Sequence, residues 1–281
     1  MDKDTHGMNH RDRQILCGLF LSKFDLKGLA YLGFDGFTEA FNALGYSLQA
    51  RPASIKNYRD ELDPYFPNAR KGWHKRALRE HCQRVLNAYK DADIGQLGEL
   101  IKSFLLPVKE VDSMPEVKRV LNIHDVESSS SFAKRLITGK AAEQYFATNY
   151  SAMVEFSGLT LTNTTDWGCG FDFKLAKPDG ESFCAVEVKG LRTRCGQIQL
   201  TELEHDMADA LRERYYLVLV RNFMEEPFHT VINNPADCAI RRIVQSGLRK
   251  SNERRYASHG PQTSSNDRGV VVSVLATTRF R

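Results

Sequence analysis

The chain has 281 residues, 42% of them hydrophobic and 26% charged. That is enough for one large or two small domains with a real core, and it excludes a disordered tail, a collagen or a disulfide miniprotein. The formal net charge of +4 is too small by itself to announce a polyanionic partner, but it is unevenly spread: residues 1–50 carry a net −1, 51–90 +6, 91–240 −8 and 241–281 +7.

The six cysteines form no C-x-x-C pair and show no zinc-ligand spacing with the eight histidines, so buried free thiols are the default reading. The opening MDKDTHGMNHRDR is polar, and the longest apolar runs, such as YYLVLV at 215–220, are strand-sized. A cytoplasmic protein with no membrane partner is expected.

In chain order, the first 90 residues read as short helices broken by glycine. They cover 10–23, 25–32, 36–44, a piece capped by Ser54, and a longer amphipathic helix from Trp73 to Tyr89 with a basic face. From 91 to 130 an acidic connector with some helix is expected, so the boundary is placed at 125: residues 1–125 are a helical part and residues 126–281 a second domain. Beyond it come a helix over 131–149 capped by serines, an extended stretch 152–162, and strands 169–176 and 183–189. An extended stretch 196–200, a helix 202–214 and a strand 215–222 complete the pattern. Helix, three strands, helix, strand is an α/β core.

Between FDFKLA and FCAVEVKG stands Lys-Pro-Asp-Gly, and Asp-Gly between strand-like runs is a strong hairpin signal. With Asp179 and Gly180 as the turn residues, Asp172 faces Glu187, and period-two alternation puts Lys189 on the same face. Two directly opposed carboxylates repel, so stability does not explain them. A divalent cation reverses the sign, and Mg²⁺ suits one or two carboxylates with water, phosphate or a backbone carbonyl such as that of Val188 completing its shell. Lys189 can position or deprotonate a water and offset charge developing on a phosphate. An E-x-K triplet on a plain surface hairpin is the bland alternative.

GKAAEQYF, WGCGFDF, AVEVKG and IQLTELE, in that order, resemble the PD-(D/E)XK, or restriction-endonuclease-like, nuclease superfamily, and within it the NO VEIN C-terminal-type branch. The resemblance covers residues 131–223. It implies an αβββαβ core with a mixed sheet and a metal-dependent phosphodiesterase: Asp172 and Glu187 as metal ligands, Lys189 as the signature lysine, and Glu143 as the helical acidic residue. Phe171 stands where the superfamily name has proline, a position with no part in the chemistry. Gln199, sharing a strand face with Gln197, fits a glutamine near the metal. Thr201 and Glu204 form a T-x-x-E capping box, so Glu204 reads as structural. For Trp167 and His205 the sequence does not choose between DNA and the core.

In the basic flank, Lys56, Asn57 and Arg59 on one short helix and Arg70, Lys71, Lys75 and Arg76 beyond a turn are read as a helix-turn-helix-like element. Such tips suit the DNA major groove, with a generic helical bundle as the alternative. The arginines of 241–281 can follow a phosphate backbone, and GVVVSVL is a further strand that extends the sheet or joins a dimer contact. The expectation is an Mg²⁺-dependent endonuclease, with Mn²⁺ as substitute, cutting double-stranded DNA as a homodimer. Because no P-loop or methyltransferase glycine motif is present, the most concrete version is a type II restriction endonuclease, whose companion is a cognate DNA methyltransferase. Its alternatives are a DNA-binding regulator on a non-catalytic nuclease-like scaffold, and a nuclease for modified or branched nucleic acid.

Overall fold

The structure, a computed structural model, describes residues 8–70, 72–73, 76–105, 126–178, 180, 182–237, 242–243 and 270–274, with 126–132, 242–243 and 270–274 as backbone only. The chain divides into two compact units. The first comprises Met1–Ser157, Val188–Arg194 and Leu219–Thr230; the second comprises Gly158–Glu187, Cys195–Val218 and Val231–Arg281. The helix that the sequence reading opens the second domain with therefore lies in the first unit.

That unit is built on helices α1 (His10–Leu32), α2 (Phe37–Ser47), α3 (Pro52–Leu62), α4 (Glu80–Tyr89), α5 (Ile94–Leu105) and α6 (Val126–Asn149). Helix α1 is buried all round over its middle, Ile15 to Leu21 being fully inaccessible, because it packs against both α3 and α5. Each such Leu, Ile or Phe contributes about 1.5–3 kcal/mol. Gly18 permits this approach: a Cβ there would stand 2.6 Å from the Tyr58 Cβ and 2.8 Å from the Arg59 backbone nitrogen. The helix starts on Asn9, whose side chain accepts from the Asp12 N–H, and ends on left-handed Gly33. It breaks at Asp25, where φ is 49°, matching the expected division into two pieces.

Several expectations need correction here. Helix α3 starts on Pro52 after Arg51, with no side-chain cap, because proline's fixed φ suits the first helical position; Ser54 is therefore not the cap. Helix α4 starts at Glu80 and not at Trp73. The Trp73 N–H is bonded to the Asp60 carbonyl at 2.9 Å, and Arg79 is held by Glu61, so residues 72–73 and 76–79 are irregular chain tied to α3 at both ends. Residues 63–79 separate α3 from α4, which is not the tight turn of a helix-turn-helix. The connector contains a full helix, α5, and α6 begins at Val126, ahead of the serines; residues 106–125 lie outside the described residues.

Strands β1 (Thr160–Asn163), β2 (Phe173–Ala176), β3 (Phe183–Gly190), β5 (Tyr215–Arg221) and β6 (Phe228–Asn233) form a five-stranded mixed sheet in the order β1-β2-β3-β5-β6. β1, β2 and β3 are consecutively antiparallel, and helix α7 (Glu202–Leu211) lies between β4 (Gly196–Leu200) and β5 in sequence. The fold is α/β. In a second, three-stranded sheet, β4 pairs with β8 (Val270–Val274), which also pairs with β7 (Arg242–Ile243). The GVVVSVL segment thus does not extend the first sheet but lies between β4 and β7 in the second. The strand expected over 169–176 is shorter because Gly168 and Gly170 hold φ of 61° and 80°, a left-handed backbone that a strand cannot contain.

In the second unit, Phe171, Ala185, Ala208 and Tyr215 form a small core joined by Cys169, Phe183, Met207 and Leu211. Helix α7 thereby covers the sheet face that carries Ala185.

Candidate functional site

The β2–β3 hairpin pairs Phe173 with Val186, Lys174 with Ala185, Leu175 with Cys184 and Ala176 with Phe183. This is the register that a two-residue turn at 179–180 dictates; Asp179 itself lies outside the described residues. Phe173, Leu175 and Val186 are buried, one apolar face of the pleat. The opposite face runs through Lys174, Ala185, Glu187 and Lys189.

Asp172 sits one residue beyond the ladder, and its backbone is tied on both sides. Its N–H donates to the Val186 carbonyl at 3.0 Å, and its carbonyl accepts from the Thr164 N–H at 2.8 Å. The β1–β2 register thus continues to Asp172, but the β2–β3 ladder ends at Phe173 and Val186: Asp172 shares the Val186 carbonyl one residue out of step, and the direct opposition to Glu187 expected from the turn is not formed. Glu187 is 3% exposed, an unusual setting for a carboxylate, and Asp172 is half-buried.

Tyr215, fully buried at the start of β5, donates its hydroxyl proton to the Gly170 carbonyl at 3.0 Å. Burial first, then the charges of Glu187, Glu204 and Asp172 and the Cys169 thiol, push its phenol far above the usual value. Three carboxylates from β3, α7 and the approach to β2 are thus within electrostatic reach of one hydroxyl. Sequence reasoning misses this grouping, because Glu204 is visible in it only as a cap. The cap is real: the Glu204 N–H donates to Thr201 Oγ1 at 3.3 Å and the Thr201 N–H to Glu204 Oε2 at 3.1 Å. Among the described residues, however, no three His, Cys, Asp or Glu side chains stand close enough together to hold a metal ion.

Lys189 follows Glu187 by two residues on the same face of β3 and is half-buried. Val188 turns its side chain, 5% exposed, to the other face. Glu143 lies on α6 in the first unit and pairs with Lys140 at 3.0 Å. Gln199 and Gln197 share the exposed face of β4, which belongs to the three-stranded sheet and not to the sheet of Asp172 and Glu187. His205 is close to Asp209, at 3.6 Å. Trp167 is 64% exposed, which removes it from the core.

The basic flank is largely committed within the fold. Arg59 is 8% exposed, its guanidinium 4.7 and 4.8 Å from the Phe37 and Phe41 ring centres and bonded to Asp60. Arg70 pairs with Asp25 and with the buried Asp63 at 2.8 Å, and lies 5.0 Å from the Phe37 ring centre. Both guanidiniums are thus engaged within the helical unit, and a buried carboxylate such as Asp63 needs a cation such as that of Arg70. Arg76 stacks 4.4 Å above Trp73 and lies 3.6 Å from Glu61, but stays half exposed. Lys56 and Asn57 are exposed, Lys56 pairing with Asp60 at 2.6 Å. Lys71 and Lys75, with all of the C-terminal basic residues except the backbone of Arg242, lie outside the described residues. Among the described residues no helix is long and apolar enough to cross a membrane.

Residues 142–232 match the family model described as Protein NO VEIN, C-terminal. This stretch runs from the second half of α6 to β6 and contains Glu143, Asp172, Glu187, Lys189, Gln199 and Tyr215. The likeness is to a nuclease-like family and points to a nuclease-like or DNA-related role. No curated protein and no solved structure matches the chain.

Proposed function

We propose that the chain is an Mg²⁺-dependent endonuclease that hydrolyses DNA phosphodiester bonds, in its most concrete form a sequence-specific type II restriction endonuclease with the PD-(D/E)XK core. The observation that supports this reading is that the buried Glu187 and the half-buried Asp172 both lie within electrostatic reach of the Tyr215 hydroxyl, with Lys189 on the strand face of Glu187. Burying the Glu187 carboxylate costs free energy that its surroundings must offset. The oxygens of Asp172 and Glu187 fit a hard divalent cation, and the Val188 carbonyl is a third donor on the strand of Glu187.

Asp172, Glu187 and Val188 would hold Mg²⁺ or Mn²⁺. When bound, the cation would neutralise phosphate charge and orient the attacking water. Lys189 would supply a fixed positive charge where the phosphorane-like transition state accumulates negative charge. Lys189 would also help to remove the proton from that water. Burial of Glu187 keeps its side chain in one geometry and limits solvent screening of these charges. Glu143 would hold a metal-bound water and Gln199 would lie near the metal, the roles that the resemblance implies for them.

One site per chain suits a homodimer for cutting both strands, its symmetry mirroring a palindromic site. Of the basic-flank residues, Lys56, Asn57 and Arg76 are exposed and would contact DNA, and a methyltransferase of the same specificity would protect the host. The test is digestion of plasmid, phage and modified DNA with Mg²⁺ or Mn²⁺, with the ends mapped. Glu187→Ala and Lys189→Ala should each abolish cutting while DNA binding in Ca²⁺ persists. Wild-type-like cutting by either variant overturns the assignment, and specific binding with no cutting by the wild type favours a regulator.

A further inference from the structure

We infer that Trp167 is a base-stacking contact of the active site, placed to hold a nucleobase of the cleaved strand. This rests on the nuclease reading and adds a substrate-positioning residue to it.

Residues 164–172 form a closed loop that ends in Asp172. The loop is tied at its base by the Thr164 N–H to the Asp172 carbonyl at 2.8 Å, and by the hydroxyl of fully buried Thr164 to the Phe171 carbonyl at 3.0 Å. Its near side is a single turn, with the Trp167 N–H on the Thr164 carbonyl at 2.9 Å and Asn163 Oδ1 accepting from the Thr165 N–H and hydroxyl. Its far side is fixed by the buried Tyr215 hydroxyl on the Gly170 carbonyl. Gly170 has no room for a side chain: a Cβ would stand 2.9 Å from the Leu203 carbonyl oxygen and 3.0 Å from Leu203 Cγ.

The loop is therefore held at both ends, and yet its largest side chain points outward. Trp167 is 64% exposed, and Leu203, which abuts the same loop at Gly170, is 48% exposed. An indole on a pre-ordered loop loses little entropy when it is covered. It also offers a flat π face of the kind on which unpaired bases stack regardless of sequence. The occupant follows from continuity: a strand whose phosphate meets Asp172 passes the loop that Asp172 terminates, and the group next to a phosphate that can stack on indole is a nucleobase. Such a contact needs a base that has left its stack, so it acts at the cut and does not read the surrounding sequence.

The test uses the full chain. In a Trp73→Phe background Trp167 is the one remaining tryptophan, and titration with oligothymidylate in Ca²⁺ should quench its fluorescence. In Mg²⁺, Trp167→Ala should raise KM for DNA about 10-fold, equivalent to about 1.4 kcal/mol. The same variant should leave kcat and the melting temperature near wild type, and Trp167→Phe should restore most of the loss. Cutting by the wild type with no quenching and no KM change in Trp167→Ala overturns the stacking contact and leaves the nuclease intact. A loss of activity that tracks a lower melting temperature, or a change from dimer to monomer, also overturns it, by assigning the indole to folding or to a protein contact. If the wild type neither binds nor cuts DNA, the nuclease reading falls first and this inference with it.

Discussion

Glu187→Gln separates stability from function in a way that an ordinary buried residue does not. Asp172 and Glu187 both bear on the Tyr215 hydroxyl, and two carboxylates about 6 Å apart repel by about 3 kcal/mol at an effective dielectric constant of about 20. Glu187 is 3% exposed, but Asp172 is half-buried and Lys189 shares the face. Solvent and that cation reduce the net gain from neutralising Glu187 to about 1–2 kcal/mol. Glutamine keeps the volume and one carbonyl acceptor. In EDTA the variant should therefore melt higher than the wild type by about 3–6 °C, while cutting no DNA. Mg²⁺ at about 100 times its Kd should stabilise the wild type by about 2.7 kcal/mol and leave the variant almost unmoved. Scanning calorimetry on both proteins, with and without Mg²⁺, decides the matter. A variant that melts below the wild type in EDTA and gains as much from Mg²⁺ would refute the argument that this carboxylate is retained for a cation.

Arg70→Ala removes the partner of Asp63, whose side chain is 1% exposed, and should cost about 3 kcal/mol in urea unfolding, whereas the exposed Lys56→Ala should cost about 0.5 kcal/mol or less; equal stabilities would return Arg70 to the list of DNA contacts. Gly170→Ala places a Cβ against Leu203 at a φ of 80°. It should cost about 1–3 kcal/mol in strain and reduce cleavage by displacing Asp172, so a variant with unchanged melting and activity would show that the loop tolerates other conformations. Acid should weaken the helical unit. Burial alone would raise the Glu61 carboxyl, but its hydrogen bonds and charge pairing with Arg79, and the charge of Arg76, outweigh burial and hold it below its usual 4.5. Asp35 is likewise held low, first by Arg192. A carboxyl lowered in the folded state stabilises above its unfolded value, and that contribution is lost as pH falls through the folded value. Urea midpoints should thus drop below about pH 4.5 in the wild type and less steeply in Glu61→Gln, and parallel curves would exclude Glu61 as a source.

Much of the site's scaffold is legible in the sequence because it is local. The Asp-Gly turn and the alternation on either side define the β2–β3 register as far as Phe173 and Val186, though not the slip at Asp172, and the T-x-x-E box marks the start of α7. The breaks at Asp25 and Gly33 show as punctuation in the helical pattern. The grouping around Tyr215 is not legible, because Glu204 and Tyr215 reach the hairpin only when α7 folds back over the Ala185 face. The fate of the basic flank is equally hidden. Lys56 and Arg59 look alike in a charge count, yet one faces water and the other is packed between Phe37 and Phe41.

Turn chemistry and hydrophobic period act between residues close in the chain, so they determine from the sequence alone which segments are strands or helices and which side chains share a face. Burial, ion-pair choice and the packing of distant segments depend on contacts whose partners lie tens of residues apart. Only the tertiary structure therefore decided that Arg70 serves Asp63, that β4 leaves the main sheet for β8, and that Trp167 stays outside while Glu187 goes in.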